Sequence, residues 1–192
     1  LIAYGSDHAK KEKINLNLLS KYPFLDNKYA FSVCRIEPEN NIHVILEAAL
    51  QLETFPLVII GNWNASHYGS ELKRQYMNYD YIHLVDPIYD QKKLDMIRSN
   101  CYVYLHGHSA GGTNPSLVEA MNLGLPIIAY GANYNKETTD HKALYFDNSL
   151  ELKELLSEVT EVDLAYVAEC MGEIAKKKYT WKTILNSYES LF

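Results

Sequence analysis

The sequence predicts a doubly wound α/β domain built on a parallel sheet with helices on both faces. From Tyr29 onward, apolar runs of strand length alternate with stretches of helical periodicity, which is the pattern of such domains. One of these runs, residues 56–62, is continuously apolar between Pro56 and Gly61, as expected of a strand buried on both faces. The chain of 192 residues is 47% hydrophobic, which suffices for one full-sized domain with a sizeable core.

The strands are predicted from short apolar runs, several of which end beside Gly, Asn or Asp. Five of them are expected at residues 29–36, 56–62, 81–85, 101–105 and 126–130, with a sixth candidate at 143–146. Each is separated from the next by a segment long enough for a crossover helix. A parallel sheet follows from this alternation.

The helices are predicted from apolar residues that recur every three or four positions. The first presents a single apolar face made by Ile42, Ile45, Leu46, Ala49 and Leu50. Further helices are expected at about residues 66–78, 90–99, 115–123, 152–159 and 164–174. Gly124 ends the helix that Pro115 begins.

The two ends of the chain fall outside this repeat. Residues 1–28 combine a charged stretch with a Leu/Asn-rich turn and are expected to form an interdomain connection, and residues 29–178 form the domain itself. Residues 179–192 are expected to form a terminal helix with a wide apolar stripe of Trp181, Ile184, Leu185, Tyr188 and Leu191. The stripe is explained either by core packing or by docking on a missing amino-terminal domain. The absence of a starting Met also predicts an excerpt from a longer chain.

Composition argues against several classes of function. The net charge is −6 and the basic residues are dispersed, so nucleic acid is not an expected partner. The three cysteines form no Cys-x-x-Cys or Cys/His cluster, so no metal site is expected and reduced thiols in a cytoplasmic protein are the simplest interpretation. No apolar run reaches the length of a membrane span, although parts outside these residues could contact the inner face of a membrane peripherally.

Arg35 is the first candidate for chemistry, because it follows the first strand where open α/β sheets bind ligands. No Gly-x-Gly-x-x-Gly fingerprint stands in this turn, which argues against a dinucleotide-dependent oxidoreductase. The guanidinium suits a phosphate group. The alternative, an ion pair with Glu37 or Glu39 at the surface, stays open.

A glycine-containing turn leads from the fourth strand into the next helix. Gly111 and Gly112 allow a ligand to approach the main chain closely. Thr113 or Asn114 can cap the helix, and Pro115 fits its first position. The turn and helix start therefore predict an anion site.

Within that helix, the free backbone N–H groups of Ser116 and Leu117 are expected to face the anion site. Glu119 follows just over one turn from the helix start, where a carboxylate would repel a bound anion. It is expected to accept hydrogen bonds from the sugar hydroxyls of a nucleotide, as acidic residues do in other nucleotide-binding folds. The alternative is a salt bridge within the core.

Three segments together resemble a known family. The run GGTNPSLVEAMNLGLPII at residues 111–128, the segment RIEPEN after the first strand, and YTWKTIL at residues 179–185 resemble the retaining GT-B glycosyltransferases of the large sucrose-synthase-like family. The spelling HGHSAGGTNP is most similar to bacterial rhamnosyltransferases that build surface polysaccharide. The resemblance implies a Rossmann-like domain that forms the carboxyl-terminal half of a GT-B fold.

The resemblance also implies roles for individual residues. Arg35 and Glu119 would be the catalytic residues, with Arg35 on the donor diphosphate and Glu119 on the ribose. The backbone from Gly112 to Leu117 would hold phosphate or sugar. The remaining donor contacts would come from Gly61 and Asn62 after the second strand and from the loop of Asp86, Pro87 and Ile88, which would meet the base.

Two positions depart from the family pattern. Asn40 stands where the family usually has a phosphate-binding Lys, and Gly111 stands where it commonly has a first Glu that contacts the sugar. By position, both are expected to be among the substrate-binding residues. His106 and His108 could partly substitute in this donor site, because either can donate a hydrogen bond to a sugar hydroxyl or a phosphate.

The resulting hypothesis is a hexosyltransferase whose residues 29–178 bind a nucleoside diphosphate sugar. By resemblance the donor is dTDP-rhamnose and the acceptor is a lipid-linked or oligosaccharide precursor of surface polysaccharide, bound on the missing domain. No Asp-x-Asp motif is present, so neither a metal nor another cofactor is expected. A non-catalytic nucleotide-sugar-binding module and a GT-B sugar epimerase are the alternatives.

Overall fold

The computed structural model describes residues 3–52 and 56–190, which form a single sheet with helices on both faces. All the strand pairs are parallel, and the strand order is β3-β2-β1-β4-β5-β6. The strands are β1 (Ala30–Val33), β2 (Leu57–Ile60), β3 (Ile82–Val85), β4 (Val103–His106), β5 (Ile127–Tyr130) and β6 (Leu144–Phe146). The predicted doubly wound sheet is confirmed, including its sixth strand.

The helices lie at α1 (Leu16–Lys21), α2 (Ile42–Leu50), α3 (His67–Tyr76), α4 (Gln91–Arg98), α5 (Pro115–Asn122), α6 (Asn133–Thr138), α7 (Ser149–Glu158), α8 (Glu161–Lys178) and α9 (Trp181–Glu189). The six-residue helices α1 and α6 were not predicted, because neither is long enough to show a helical period. The strands are shorter than predicted at one or both ends, since the flanking residues belong to the loops.

The core lies in two layers, one on each face of the sheet. Alternate strand residues supply the two layers: Phe31 and Val58 point into one, and Ala30 and Ile59 into the other. All four residues of β2 are buried, as the continuous apolar run predicts. Cys34 and Cys101, expected inside strands, instead lie just beyond β1 and just before β4, and burial raises the pKa of each thiol to about 12.

The amino-terminal segment packs against the domain. Ala9, Leu18 and Leu25 are buried in the same layer as α4, α5 and α8. Backbone N–H groups of Lys10 and Glu12 donate to side chains of α4 and the residue that follows it. The interdomain role of residues 1–28 stays a prediction.

Helix α9 keeps much of its apolar stripe exposed. Ile184 is buried, whereas Trp181, Leu185 and Tyr188 are 43%, 56% and 49% exposed. Leu191 lies outside the described residues. Among the described residues of the stripe, Ile184 lies in the core and Trp181 packs partly on the amino-terminal segment. Docking of the stripe on a further domain stays a prediction.

Candidate functional site

The candidate site lies where the strand order reverses. Because β1 and β4 are neighbours and β2 and β5 continue the sheet in opposite directions, the loops that follow β1 and β4 diverge from the same edge. A crevice at such a switch point is where open α/β sheets bind ligands. Arg35 lies on one loop, and the glycine-containing turn lies on the other.

The two loops are joined by hydrogen bonds. The backbone N–H and the Oγ of Ser109 donate to the carbonyl of Glu39 at 2.7 and 3.0 Å. Asn41, with a φ of 48°, donates its Nδ2 to the carbonyl of Gly107 at 2.8 Å. A Cβ at Gly107 would lie 2.1 Å from the carbonyl oxygen of Asn40, so only glycine permits this approach. The roles of Gly107, Asn41 and Ser109 were not predicted from the sequence. The available signals were the consecutive asparagines and the glycine between two histidines.

The buried side chain of Asn40 also joins the two loops through hydrogen bonds. Its Nδ2 donates to the carbonyl of Arg35 at 2.8 Å. Its Oδ1 lies 2.9 Å from Nδ1 of His108. Both ends of the amide are thus occupied by the protein, which leaves Asn40 poorly placed for the substrate contact expected from its position.

Arg35 extends from the end of β1 into solvent. Its side chain is 80% exposed, and its nearest carboxylate oxygen is Oε1 of Glu39 at 3.9 Å. A pair this long and this exposed holds the guanidinium weakly. The surface ion pair with Glu39 is therefore present, but it leaves Arg35 able to turn toward an anion.

The partner of His108 determines that its Nδ1 carries a proton. The Asn40 amide must present nitrogen to the Arg35 carbonyl, so its Oδ1 faces His108 and accepts the proton on Nδ1. Burial lowers the pKa of His108, which favours the neutral form. Its Nε2 would be in van der Waals contact with a side chain at Gly111, since it lies 3.7 Å from the position of an ideal Cβ there. In the neutral form Nε2 accepts a hydrogen bond, and the contact of His108 with a ligand stays a prediction.

His106 lies beneath the same loop at the end of β4. It is 4% exposed, and its Nε2 has no hydrogen-bond partner among the described residues. Burial, and to a smaller extent the neighbouring His108, lowers the pKa of His106 to about 3. The ring is therefore neutral at physiological pH. Its enclosure means that a ligand could reach it only through movement of the loop above.

The glycine turn has the geometry that sequence analysis expected. Gly111 has a φ of 100°, which side chains rarely adopt, and a Cβ at Gly112 would meet no atom within 4 Å. Asn114, rather than Thr113, caps α5, and Pro115 occupies the first helical position. In the described part of the chain, no protein acceptor takes a hydrogen bond from the backbone N–H groups of residues 111–114.

The expectation that Ser116 and Leu117 present free N–H groups is wrong. The N–H of Ser116 donates to Oδ1 of Asn114 at 3.0 Å, and the N–H of Leu117 donates to the Asn114 carbonyl at 3.1 Å. The same side chain that caps the helix covers its first donors. Any anion at this site meets the turn before α5 and the positive end of the helix dipole, not these two groups.

Gly61 and Asn62 stand at the end of β2, one buried and one exposed. A Cβ at Gly61 would lie 2.5 Å from Cδ1 of Ile36 and 2.6 Å from the carbonyl oxygen of Cys34. Close packing between the ends of β1 and β2 therefore explains this glycine without a ligand. The Asn62 side chain accepts from the backbone N–H of Asn64 at 3.3 Å and faces solvent.

Ile88 lines a large open cavity of about 1020 Å³ beside the carboxyl end of β3. The walls are α1, the start of α4 and the loop that contains Asp86, Pro87 and Ile88. Ile88 is half-buried, and Tyr89 at the rim is 90% exposed. The cavity is wide enough for a nucleobase, which sequence analysis expected at this loop.

Glu119 is held by two protein partners. Its side chain is 16% exposed, and its Oε2 accepts a hydrogen bond from Arg98, whose side chain is fully buried. Its Oε1 lies 2.8 Å from Nε2 of His8. Arg98 in turn pairs with Asp95 at 2.7 Å. The core salt bridge considered for Glu119 is therefore present; its role toward ribose stays a prediction.

Within residues 3–52 and 56–190, no group of three or more His, Cys, Asp or Glu side chains is arranged to hold a metal ion. None of the helices in these ranges is both long and apolar enough to cross a membrane.

Comparisons with known proteins agree with this architecture. A family model described as Glycosyl transferases group 1 matches residues 18–177. A search of curated protein sequences gives no significant match.

Several solved structures share the fold. HepE from Anabaena, in complex with UDP and glucose, has a TM-score of 0.80 and 17% identity over 98% of this chain and 55% of its own. The sucrose-phosphate synthase of Thermosynechococcus elongatus has a TM-score of 0.75 and 17% identity over 93% of this chain and 48% of its own. The C-terminal domain of LpcC, a glycosyl transferase group 1 family protein from Francisella tularensis, has a TM-score of 0.70 and 14% identity over 93% of this chain and 100% of that domain.

The chain spans about half the length of the first two proteins and the whole of the third. At these identities the likeness concerns the fold, and it confirms the predicted Rossmann-like half of a GT-B architecture. Because the family model matches residues 18–177, which is most of this chain, the chain belongs to the glycosyl transferases group 1 family.

Proposed function

We propose that this domain binds the nucleoside diphosphate sugar donor of a hexosyltransferase. The observation that carries the proposal is the turn at residues 111–114, whose N–H groups have no protein acceptor among the described residues and lie at the positive end of α5. The hydrogen bonds between the loops after β1 and β4 join the loop that contains Arg35 to the loop that leads into this turn. Together these groups suit a diphosphate.

The proposed chemistry is stabilisation of the leaving group. As the bond between the sugar and the diphosphate breaks, negative charge grows on the phosphate oxygens. Arg35 and the turn would stabilise that charge more strongly than the ground state, which lowers the barrier to transfer. Arg35 is free to make this contact because its pair with Glu39 is long and exposed.

The other donor contacts are proposed from their places around this anion site. Glu119 would accept from the ribose, and the cavity beside Ile88 would receive the base. The Nε2 of His108 would accept a hydrogen bond from a sugar hydroxyl. The related HepE structure contains UDP and glucose, which supports a nucleotide ligand for this chain.

The sugar and the acceptor belong to the same proposal. On the resemblance of HGHSAGGTNP to rhamnosyltransferases, the donor would be dTDP-rhamnose and the acceptor a lipid-linked or oligosaccharide precursor of surface polysaccharide. The acceptor would bind a further domain docked on α9. Such an enzyme would work in the cytoplasm, at the inner face of the membrane.

A second candidate function is a nucleotide-sugar-binding module without transfer activity. Asn40 favours it for two reasons. This residue stands where the family usually has a phosphate-binding Lys, and its amide already makes hydrogen bonds to Arg35 and His108. The site then depends on Arg35 for a cation near the turn. Product analysis with the full-length protein, a sugar donor and an acceptor distinguishes the two functions by whether sugar is transferred.

The proposed donor site is tested by calorimetric titration of UDP and dTDP into Arg35→Ala. Loss of a charge-assisted contact should weaken diphosphate binding by about 1.5–3 kcal/mol. Arg74→Ala is the matched control, because Arg74 is 81% exposed and pairs with Glu71 at 3.8 Å, much as Arg35 pairs with Glu39. Equal affinities in the two variants would return Arg35 to a surface role, and failure of both nucleotides to bind the wild-type domain would contradict the proposed function.

A further inference from the structure

His8, Glu119 and Trp181 meet although they are far apart in the sequence. Nε2 of His8 lies 2.8 Å from Oε1 of Glu119, and Nε1 of Trp181 lies 3.2 Å from Nδ1 of His8. The other carboxylate oxygen of Glu119 is held by Arg98. Both carboxylate oxygens of Glu119 and both ring nitrogens of His8 are therefore within hydrogen-bond distance of a side chain from another segment of the fold.

The direction of these hydrogen bonds follows from the chemistry of Trp181. An indole N–H only donates, so Nδ1 of His8 must accept and carries no proton. A neutral His8 then has its proton on Nε2, which donates to Glu119. The indole thus selects the tautomer of His8 that can hold the carboxylate.

The segment that carries His8 is firmly placed. The backbone N–H and Oγ of Ser6 donate to the carbonyl of Tyr179 at 2.7 and 2.9 Å. Oδ1 of Asp7 accepts from the backbone N–H of Trp181 at 2.8 Å. A Cβ at Gly5 would lie 2.4 Å from Cδ2 of Trp181, so the backbone packs directly on the indole. His8 is consequently presented to Glu119 from a fixed support.

We propose that His8 is a positioning residue for the carboxylate of Glu119 in nucleotide recognition. This inference rests on the proposed role of Glu119 toward ribose. A carboxylate has about four acceptor positions, of which His8 and Arg98 occupy one on each oxygen. With both oxygens held, the carboxylate cannot rotate, and its remaining acceptor positions keep one orientation toward the ribose hydroxyls.

The test compares nucleotides that differ only in a ribose hydroxyl. UDP and its 2′-deoxy and 3′-deoxy forms are titrated into the wild-type domain and into His8→Ala, His8→Gln and Glu119→Gln, with pyrophosphate as a probe without ribose. The wild-type domain should bind UDP more tightly than at least one of the two deoxy forms. In His8→Ala this preference for UDP should fall by about three- to tenfold, the worth of one hydrogen bond. His8→Gln keeps an N–H donor and should retain most of the preference.

Two controls separate positioning from structural damage. His8 is 42% exposed, so its variants should fold, and pyrophosphate binding should stay unchanged in both of them. His67→Ala removes a histidine that is 93% exposed beside Glu71 and should leave every affinity unchanged.

The outcomes distinguish this inference from the proposed function. Loss of the preference in Glu119→Gln with an unchanged preference in His8→Ala overturns the role of His8 alone. An unchanged preference in Glu119→Gln overturns the ribose role of Glu119 and this inference together. Tighter UDP binding by His8→Ala also overturns it, since His8 would then compete with the ribose.

Discussion

Replacing Glu119 with glutamine should lower the stability of the domain by weakening one interaction and removing another. Its carboxylate accepts from the fully buried Arg98 and from His8. A glutamine has one carbonyl oxygen, so it can satisfy Arg98 but then turns its NH₂ toward Nε2–H of His8. His8 cannot relieve the conflict by changing tautomer, because Nδ1 would then carry a proton and two donors, Nδ1–H and the indole N–H of Trp181, would face each other.

The size of the effect follows from these contacts. A hydrogen bond to a charged group contributes about 1.5–3 kcal/mol and a neutral one about 0.5–1.5 kcal/mol, so the Arg98 contact weakens and the His8 contact is lost. Asp95 remains on Arg98 at 2.7 Å, which keeps the loss below that of a stranded buried charge. We expect Glu119→Gln to cost about 1.5–3 kcal/mol, or a fall in Tm of roughly 3–12 °C in a domain of this size.

The assay is urea and thermal denaturation of the wild type, Glu119→Gln and Glu71→Gln. Glu71 is 54% exposed and makes only surface pairs with Arg74 and His67, both at 3.8 Å, so its variant should lose less than about 1 kcal/mol. Equal stability of the two variants would refute the reasoning. It would mean that the buried network around Arg98 contributes no more than an exposed ion pair.

The remaining predictions concern the turn, the buried histidine and metal dependence. Gly111→Ala should cost about 1–2 kcal/mol in urea denaturation because alanine must adopt a φ of 100°, whereas Gly112→Ala should cost less than about 0.5 kcal/mol; equal losses would contradict the conformational argument. Since burial lowers the pKa of His106 to about 3, the folded domain binds fewer protons than the unfolded chain between that pKa and the ordinary 6.5. The stability that neutral His106 confers is therefore full above pH 6.5 and is lost as the pH falls toward 3, by up to about 1.4 kcal/mol per pH unit, so His106→Gln should show a shallower decline over that range and a parallel curve would speak against it. Nucleotide binding should survive a chelator, because Arg35 and backbone N–H groups supply the proposed anion site; calorimetry with and without EDTA measures this, and binding that disappears would require a metal.

Local patterns in the sequence were enough to predict most elements of the fold. Continuous apolar runs predicted the strands, and residues recurring every three or four positions predicted the longer helices. The glycine turn was equally readable, because Gly111, Asn114 and Pro115 have conformational and capping preferences that act within a few residues. The shorter helices α1 and α6 escaped because six residues do not establish a period.

The candidate site could be located from the sequence but not described. A strand end followed by Arg35, and another followed by the glycine turn, placed the site at one edge of the sheet. The partners of its residues were out of reach. Asn40 was expected to contact the ligand, yet the fold directs its amide to Arg35 and His108. The N–H groups of Ser116 and Leu117 were expected to face an anion, but both donate to Asn114 instead.

By itself the sequence determined the types and order of the elements, the turn before α5 and the family resemblance, because each depends on residues close together in the chain. Tertiary structure alone decided the strand order and the surroundings of Glu119. Arg98 and His8 reach this carboxylate from α4 and the amino-terminal segment, and Trp181 of α9 holds His8. Such contacts are set by how the elements pack in space, and no local pattern records which of the many polar side chains will share one buried position.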